Sequence, residues 1–302
     1  MDLMKLMDEF GTEQACREVL AELRWPEGVT CPRCEGKRQA FDSDRYVWDC
    51  YSCGYQFSAL SGTVLHDTKL PLRKWFVAVF LMVEAKKGIS ANQMKRTLGV
   101  SYKTAWYLCH RIRAAMAVEY AQLTGTVEMD ETYIGGKKRA PKREDGRSGL
   151  PRGYNPRADK IMVLGAVSRD GQIRMAVEKR ANRKTVGKFI ASHIADDAPF
   201  IYTDGAHVYQ HLGDHDTVHE SVDHQKDEWV RGDVHTNSVE SAWSLLKRSI
   251  VGSYHQLSAK HLPAYLDEME WRFNNRGNEY LFRDTLIQLV TAEALPYQEL
   301  TA

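Results

Sequence analysis

Helical spacing governs the first 24 residues: Leu3, Leu6, Met7 and Phe10 fall on one apolar stripe, and Cys16, Val19, Leu20 and Leu23 on a second. The pattern predicts two short amphipathic helices that end at Trp25-Pro26. Strand-like runs follow at 45–48 and 55–60, and a helical period returns from Leu72 to Met116. Within it, Ser90 to Leu98 reads as one helix, Gly99-Val100 as a turn, and Ser101 as the opening of another helix. Beyond Gly125 the period shortens to that of strands. TVEMDETYI, IMVLGAVSR and IRMAVEKR predict three consecutive strands, the last two joined by a hairpin at Asp170-Gly171. RKTVGKFIASHIADD then predicts a helix, PFIYTDG a buried strand, TVHESVDH a short strand and NSVESAWSLLKRSIVG a helix, with a long helical tail from Ala259 onward.

The fold class this predicts is α/β. Three antiparallel strands, then alternating helices and strands, is the order of an RNase H-like domain, a mixed five-stranded sheet with helices. The domain expectations are helices over 1–25, a cysteine-rich module over 26–65, a helical domain over 70–122, the sheet domain over 125–255 and a helical tail over 256–302. Residues 135–160, between the first two strands, are rich in Gly, Pro, Lys and Arg. Such a segment cannot bury enough apolar surface to order itself, and predicts a mobile basic arm.

Six cysteines change the picture of the amino-terminal half. Cys31-x-x-Cys34 and Cys50-x-x-Cys53, with fifteen residues between the pairs, have the layout of a zinc ribbon. Each pair forms a tight knuckle that presents two thiolates, and two knuckles complete a closed tetrahedral site, so the Zn²⁺ is structural. Cys16 and Cys109 lie outside the pattern and read as helix residues. The paired helices after the ribbon resemble a helix-turn-helix, with Tyr102, Lys103 and Thr104 on base edges and Arg111 and Arg113 on the basic face. A charged αα-hairpin would show the same pattern; the neighbouring ribbon favours DNA binding.

The carboxyl-terminal half carries the chemistry. Asp130, Asp204 and Glu240 lie in two strand-like runs and at the start of a helix, so three carboxylates can converge at one edge of a sheet. Mg²⁺ prefers oxygen ligands and shares its shell among carboxylates, water and phosphate. Two such ions can clamp the attacking and leaving oxygens of a phosphodiester. Alternation puts Glu128, Asp130 and Thr132 on one strand face and leaves Glu128 and Asp130 as rival ligands. Asp204-Gly205 could also be a turn. Asn237-x-x-Glu240 could be a capping box, but Asn237, Glu240, Ser244 and Lys247 form a continuous polar stripe opposite Val239, Trp243, Leu246 and Ile250.

Net charge is only +1, so any nucleic-acid surface must come from the distribution of Lys and Arg, which cluster at 86–113 and 137–160. The longest apolar run, Trp75 to Val83, is far below the ~20 residues that cross a bilayer, and the amino terminus lacks the apolar core of a signal peptide. The expectation is a soluble protein without a membrane partner.

Ribbon, paired helices, VEMDETYIGG, YTDG, HTNSVESAWSLLK and YLDEMEWRFNNR together resemble bacterial insertion-sequence transposases of the DDE type, over nearly the whole chain. Thirty-five residues separate Asp204 from Glu240, which fits that pattern. The resemblance implies that Asp130, Asp204 and Glu240 hold two Mg²⁺ or Mn²⁺ ions, favours Asp130 over Glu128, and gives Lys247 a phosphate contact. It implies binding of terminal inverted repeats, strand cleavage and 3′-hydroxyl transfer to target DNA, in a cytoplasmic bacterial enzyme acting as a dimer or larger assembly. Lys137, Lys138 and Arg139 would meet the DNA backbone. Some relatives place Asn at the third acid, which concerns Asn237 and Glu240. Arg272, Asn274 and Arg276 match a signature whose part is either support of the site or DNA contact. The rival readings are a regulator built on an inactive RNase H-like domain and a nuclease acting on hybrids or branched DNA.

Overall fold

Glu35 (φ +58°) and Gly54 (φ +67°) each follow the second cysteine of a Cys-x-x-Cys pair and turn the chain back through the left-handed region. The amides of Glu35 and Gly54 return to the carbonyls of Cys31 and Cys50, at 2.8 and 2.9 Å, so the two knuckles have the same build. They flank a three-stranded antiparallel sheet of β1 (Gln39–Asp42), β2 (Val47–Cys50) and β3 (Gln56–Phe57). Trp48 and Phe57 are buried there against Trp25.

The computed structural model describes residues 1–135, 160–210, 212 and 217–302, which divide into two compact units. The first comprises Met1–Glu119, Ser249–Gln256 and Asp267–Ala302. It holds the ribbon, α1 (Leu3–Glu9), α2 (Glu13–Arg24), α3 (Leu72–Glu84), α4 (Ala91–Leu98) and α5 (Tyr102–Met116). Phe10, Phe76 and Phe282 meet in its core, with ring centroids 4.9 to 6.1 Å apart. The helical tail consists of three helices, α8 (Leu262–Asn274), α9 (Leu281–Thr291) and α10 (Tyr297–Thr301), and from Asp267 it belongs to this first unit. Pro71 provides no side-chain cap for α3. The Glu13 carboxylate does so from another helix, accepting from the Leu72 and Arg73 amides at 2.9 and 3.2 Å.

Among the described residues, the second unit is built on a five-stranded sheet. Its strands are β4 (Thr126–Ile134), β5 (Ile161–Ser168), β6 (Ile173–Glu178), β7 (Phe200–Asp204) and β8 (Val218–Val222), in the order β6-β5-β4-β7-β8. The first three pair antiparallel, while β7 and β8 run parallel to β4, as an RNase H-like fold requires. Gly171 (φ +95°) makes the predicted hairpin turn between β5 and β6. α6 (Arg183–His193) packs Val186 and Phe189 onto Met129, Leu164 and Ile201. Where that fold order predicts a helix between β7 and β8, the described residues show one 3₁₀ turn, His207–Tyr209. α7 (Asn237–Ser249) follows β8 and passes into a π-helical turn, Ile250–Tyr254, which belongs to the first unit. No helix among the described residues is long and apolar enough to cross a membrane.

Candidate active site and metal centres

The four ribbon cysteines bring their sulfurs within 4.8 Å of one another. Cys31 and Cys53 are 3.7 Å apart, and Cys34 and Cys50 3.6 Å. A tetrahedral ion with Zn–S near 2.3 Å would set sulfurs about 3.8 Å apart, so this donor set fits structural zinc. Among the described residues it is the one group of three or more possible ligands gathered so closely.

The acid site is built differently. β4 pairs with β7 in parallel as far as Glu128 opposite Tyr202; the same register carried two residues further would set Asp130 beside Asp204. Both side chains would then leave the same sheet face. Burial, Glu131 and Asp204 together push the Asp130 carboxyl up to about 7. The Trp243 indole N–H donates to its Oδ2 at 3.0 Å, and the Glu131 backbone amide also hydrogen-bonds the carboxylate. That contact depends on Gly165, which faces Asp130 on β5. A Cβ at Gly165 would lie 2.3 Å from the Trp243 ring.

Asp204 accepts from the Ala206 amide at 3.1 Å. Glu240, 46% exposed, accepts from the Thr236 hydroxyl at 3.0 Å and stands 3.4 Å from His224 Nε2. Asp204 thus acts on Asp130 electrostatically, while Glu240 is engaged by neighbours of its own. Val239, Trp243 and Leu246 are buried, while Asn237, Glu240, Ser244 and Lys247 share the exposed stripe. The capping-box alternative for Glu240 does not hold: the first-turn amides of α7 go to Glu128. That fully buried carboxylate accepts from the Ser238 amide (2.7 Å), the Val239 amide (3.3 Å) and the Ser238 hydroxyl (3.0 Å).

In the first unit, α4 and α5 are capped by the Ser90 and Ser101 hydroxyls and joined at Gly99 (φ +62°). Tyr102, Lys103 and Thr104 are exposed on the first turn of α5. Arg111 corrects the sequence expectation: it is buried, donates to the His66 carbonyl at 2.7 Å and lies over Trp75, so its charge serves the core. Arg113 is likewise internal, paired with Glu268 at 2.7 Å. Arg272 is buried too, bonding the Ala85 and Lys86 carbonyls at 2.7 and 2.9 Å, whereas Arg276 is exposed over Phe273. Lys137, Lys138 and Arg139 lie outside the described residues.

Residues 122–274 match the model of an ISXO2-like transposase domain, and residues 11–56 that of a transposase zinc-ribbon domain. A protein of Halobacterium salinarum (strain ATCC 700922 / JCM 11081 / NRC-1), described as an uncharacterized protein in transposable element ISH50, is 31% identical over 288 residues. The alignment spans 90% of this chain and 95% of that protein. The chain belongs to the ISXO2-like transposase family. Two solved structures, the Mos1 strand transfer complex and a pre-cleavage Mos1 transpososome, are each 10% identical, with TM-scores of 0.29 and 0.26. They cover 73% of this chain and 78% and 79% of their own. The fold of this ISXO2-like transposase rests on its own sheet order and on the family match.

Sequence reasoning missed four contributors to the transposase's acid site. Trp243 was read only as apolar core, although indole carries a donor that buried positions usually satisfy. Gly165 breaks an otherwise apolar strand, a mark of close approach that could have been read. His224 had no signal in the sequence. Tyr209, buried in the 3₁₀ turn, donates to Glu131; burial, then Glu131, pushes its phenol far above the usual range.

Proposed function

We propose that this transposase binds the terminal inverted repeats of an insertion sequence, cuts the DNA at its ends and joins the freed 3′ hydroxyl to target DNA. The observation that supports the reading is the Asp130 carboxyl, pushed up to about 7 by burial, Glu131 and Asp204, with neutral donors, the Glu131 amide and the Trp243 indole, as its hydrogen-bond partners. A like-charged buried pair is a place for a cation.

Asp130, Asp204 and Glu240 would hold two Mg²⁺ or Mn²⁺ ions. Bound there, the metals supply charge neutralisation and activate the attacking oxygen. Glu240 has to exchange the Thr236 hydroxyl and His224 for that role. Lys247, two turns along the exposed stripe, offers an ammonium to a phosphate, and the rigid α7 fixes its spacing from Glu240. In the first step water oxygen bonds to phosphorus and the 3′ oxygen leaves. In the second, that 3′ oxygen bonds to target phosphorus and the target's own 3′ oxygen leaves. Neither step needs a covalent protein intermediate.

Tyr102, Lys103 and Thr104, exposed at the start of α5, would read the repeats, and pairing of two ends calls for a dimer or larger assembly on double-stranded DNA. The test is to incubate the protein with Mg²⁺ and labelled DNA carrying the ends that flank its gene, beside Asp204→Asn. Cleavage and joining that vanish in the variant support the proposal. Specific binding without metal-dependent cutting would replace it with a regulator, and cutting without joining with a nuclease.

A further inference from the structure

Glu128 lies two residues before Asp130 on the same face of β4, yet it is fully buried and every one of its hydrogen-bond partners is a donor. Arg169 Nε approaches Oε1 at 3.3 Å, beside His235 Nδ1 at 3.1 Å. Arg169 in turn donates to the Asp233 carbonyl, which fixes the chain just ahead of α7. The Ser238 and Val239 amides donate to Oε2, which places an anion on the positive end of that helix. Ser238 is 110 residues from Glu128 in sequence, but Glu240 follows it by only two.

We propose that Glu128 is a positioning residue of the acid site, its side chain being the strut that fixes the start of α7, and with it Glu240, to the strand that carries Asp130. The inference rests on the proposed metal site. Two residues of strand, one buried carboxylate and one half-turn of helix join the two acids, and this route bypasses the long covalent path between them. A glutamine at 128 keeps the shape but turns an N–H₂ toward donors, so one partner must withdraw and the start of α7 shifts. Glu13 provides the comparison within the same chain, since its carboxylate caps α3 by accepting from two first-turn amides in the same way.

The test is Mn²⁺ affinity of the full-length, zinc-loaded protein, by titration calorimetry and by the electron-spin signal of free Mn²⁺, well below the melting temperature. Asp130→Asn should abolish tight binding. Glu128→Gln should weaken it tenfold or more with the circular dichroism unchanged, and Ser238→Ala two- to fivefold. Glu13→Gln should lower the melting temperature and leave Mn²⁺ affinity alone. Wild-type affinity in Glu128→Gln and Ser238→Ala, with binding lost in Asp130→Asn, overturns the strut. If Glu128→Gln fails to fold, Ser238→Ala decides by the same reading. Wild-type affinity in Asp130→Asn would instead remove the metal site itself.

Discussion

Glu268 in the first unit and Asp130 in the second are both carboxylates under which burial favours the neutral form, and they end on opposite sides of their ordinary values. Burial pushes Glu268 up, but Arg113 and Arg272 outweigh it, with help from the Tyr254 hydroxyl at 2.8 Å, and hold it below the usual range. Asp130 meets burial and two further acids and is pushed up to about 7. A structural acid is matched within the chain; Asp130, which we propose holds a cation, meets no cationic side chain among the causes of its shift. Glu128, ringed by donors, belongs with Glu268, which is why alternation along β4 could not separate it from Asp130.

The largest expected effect breaks the matched side. Glu268→Ala leaves two buried guanidiniums without their carboxylate and should cost about 3–5 kcal/mol. Thermal unfolding of the variant would register this as a melting temperature lowered by many degrees. A change near zero would mean that Arg113 and Arg272 find other partners. The same cluster gives Arg272 a part that sequence left open: it ties α8 to the end of α3 through two carbonyls.

Next is the unmatched side. Asp130→Asn keeps an acceptor for the Trp243 N–H and removes the buried charge, so the metal-free protein should gain about 2–4 kcal/mol at pH 8 while DNA cleavage is lost. Stability gained with activity lost is the outcome a structural acid such as Glu268 cannot give. Gly165→Ala should follow, at about 1–3 kcal/mol destabilising, because a methyl group has no room beside the indole. Displacing Trp243 takes away the side-chain donor on Asp130, so its carboxyl should titrate higher still, which carbon-13 labelling of aspartate would read.

How much of this was legible depends on what kind of pattern carries it. The order of strands and helices along the chain, the hairpin at Gly171, the serine caps of α4 and α5 and the cysteine knuckles are local signals, and each has a sequence signature. Arg111 was misread because a basic residue on a helix looks solvated until its Trp75 and His66 neighbours, distant in sequence, are known. The remote caps from Glu13 and Glu128 were invisible for the same reason: a helix start records that a cap is missing, not which distant carboxylate fills it. Asp130, Asp204 and Glu240 read as a trio in sequence; in the structure Asp204 raises the Asp130 carboxyl and Glu240 is engaged by Thr236 and His224, contacts with no sequence signature.

The smallest effect is the pH slope, and its sign separates the two acids. Asp130 has its folded value raised to about 7, above the unfolded value near 3.9, so the folded state holds the extra proton between them. The stability it contributes is full below about pH 4 and falls as pH rises through 7, by at most about 1.4 kcal/mol per unit. Glu268, lowered, works in the other direction: its contribution is present above its unfolded value and is lost only in acid. Mn²⁺ should therefore stabilise the protein little at pH 5, where it competes with the proton on Asp130, and clearly at pH 8. Melting curves with and without Mn²⁺ across that range should separate steadily with rising pH, and in Asp130→Asn they should run parallel.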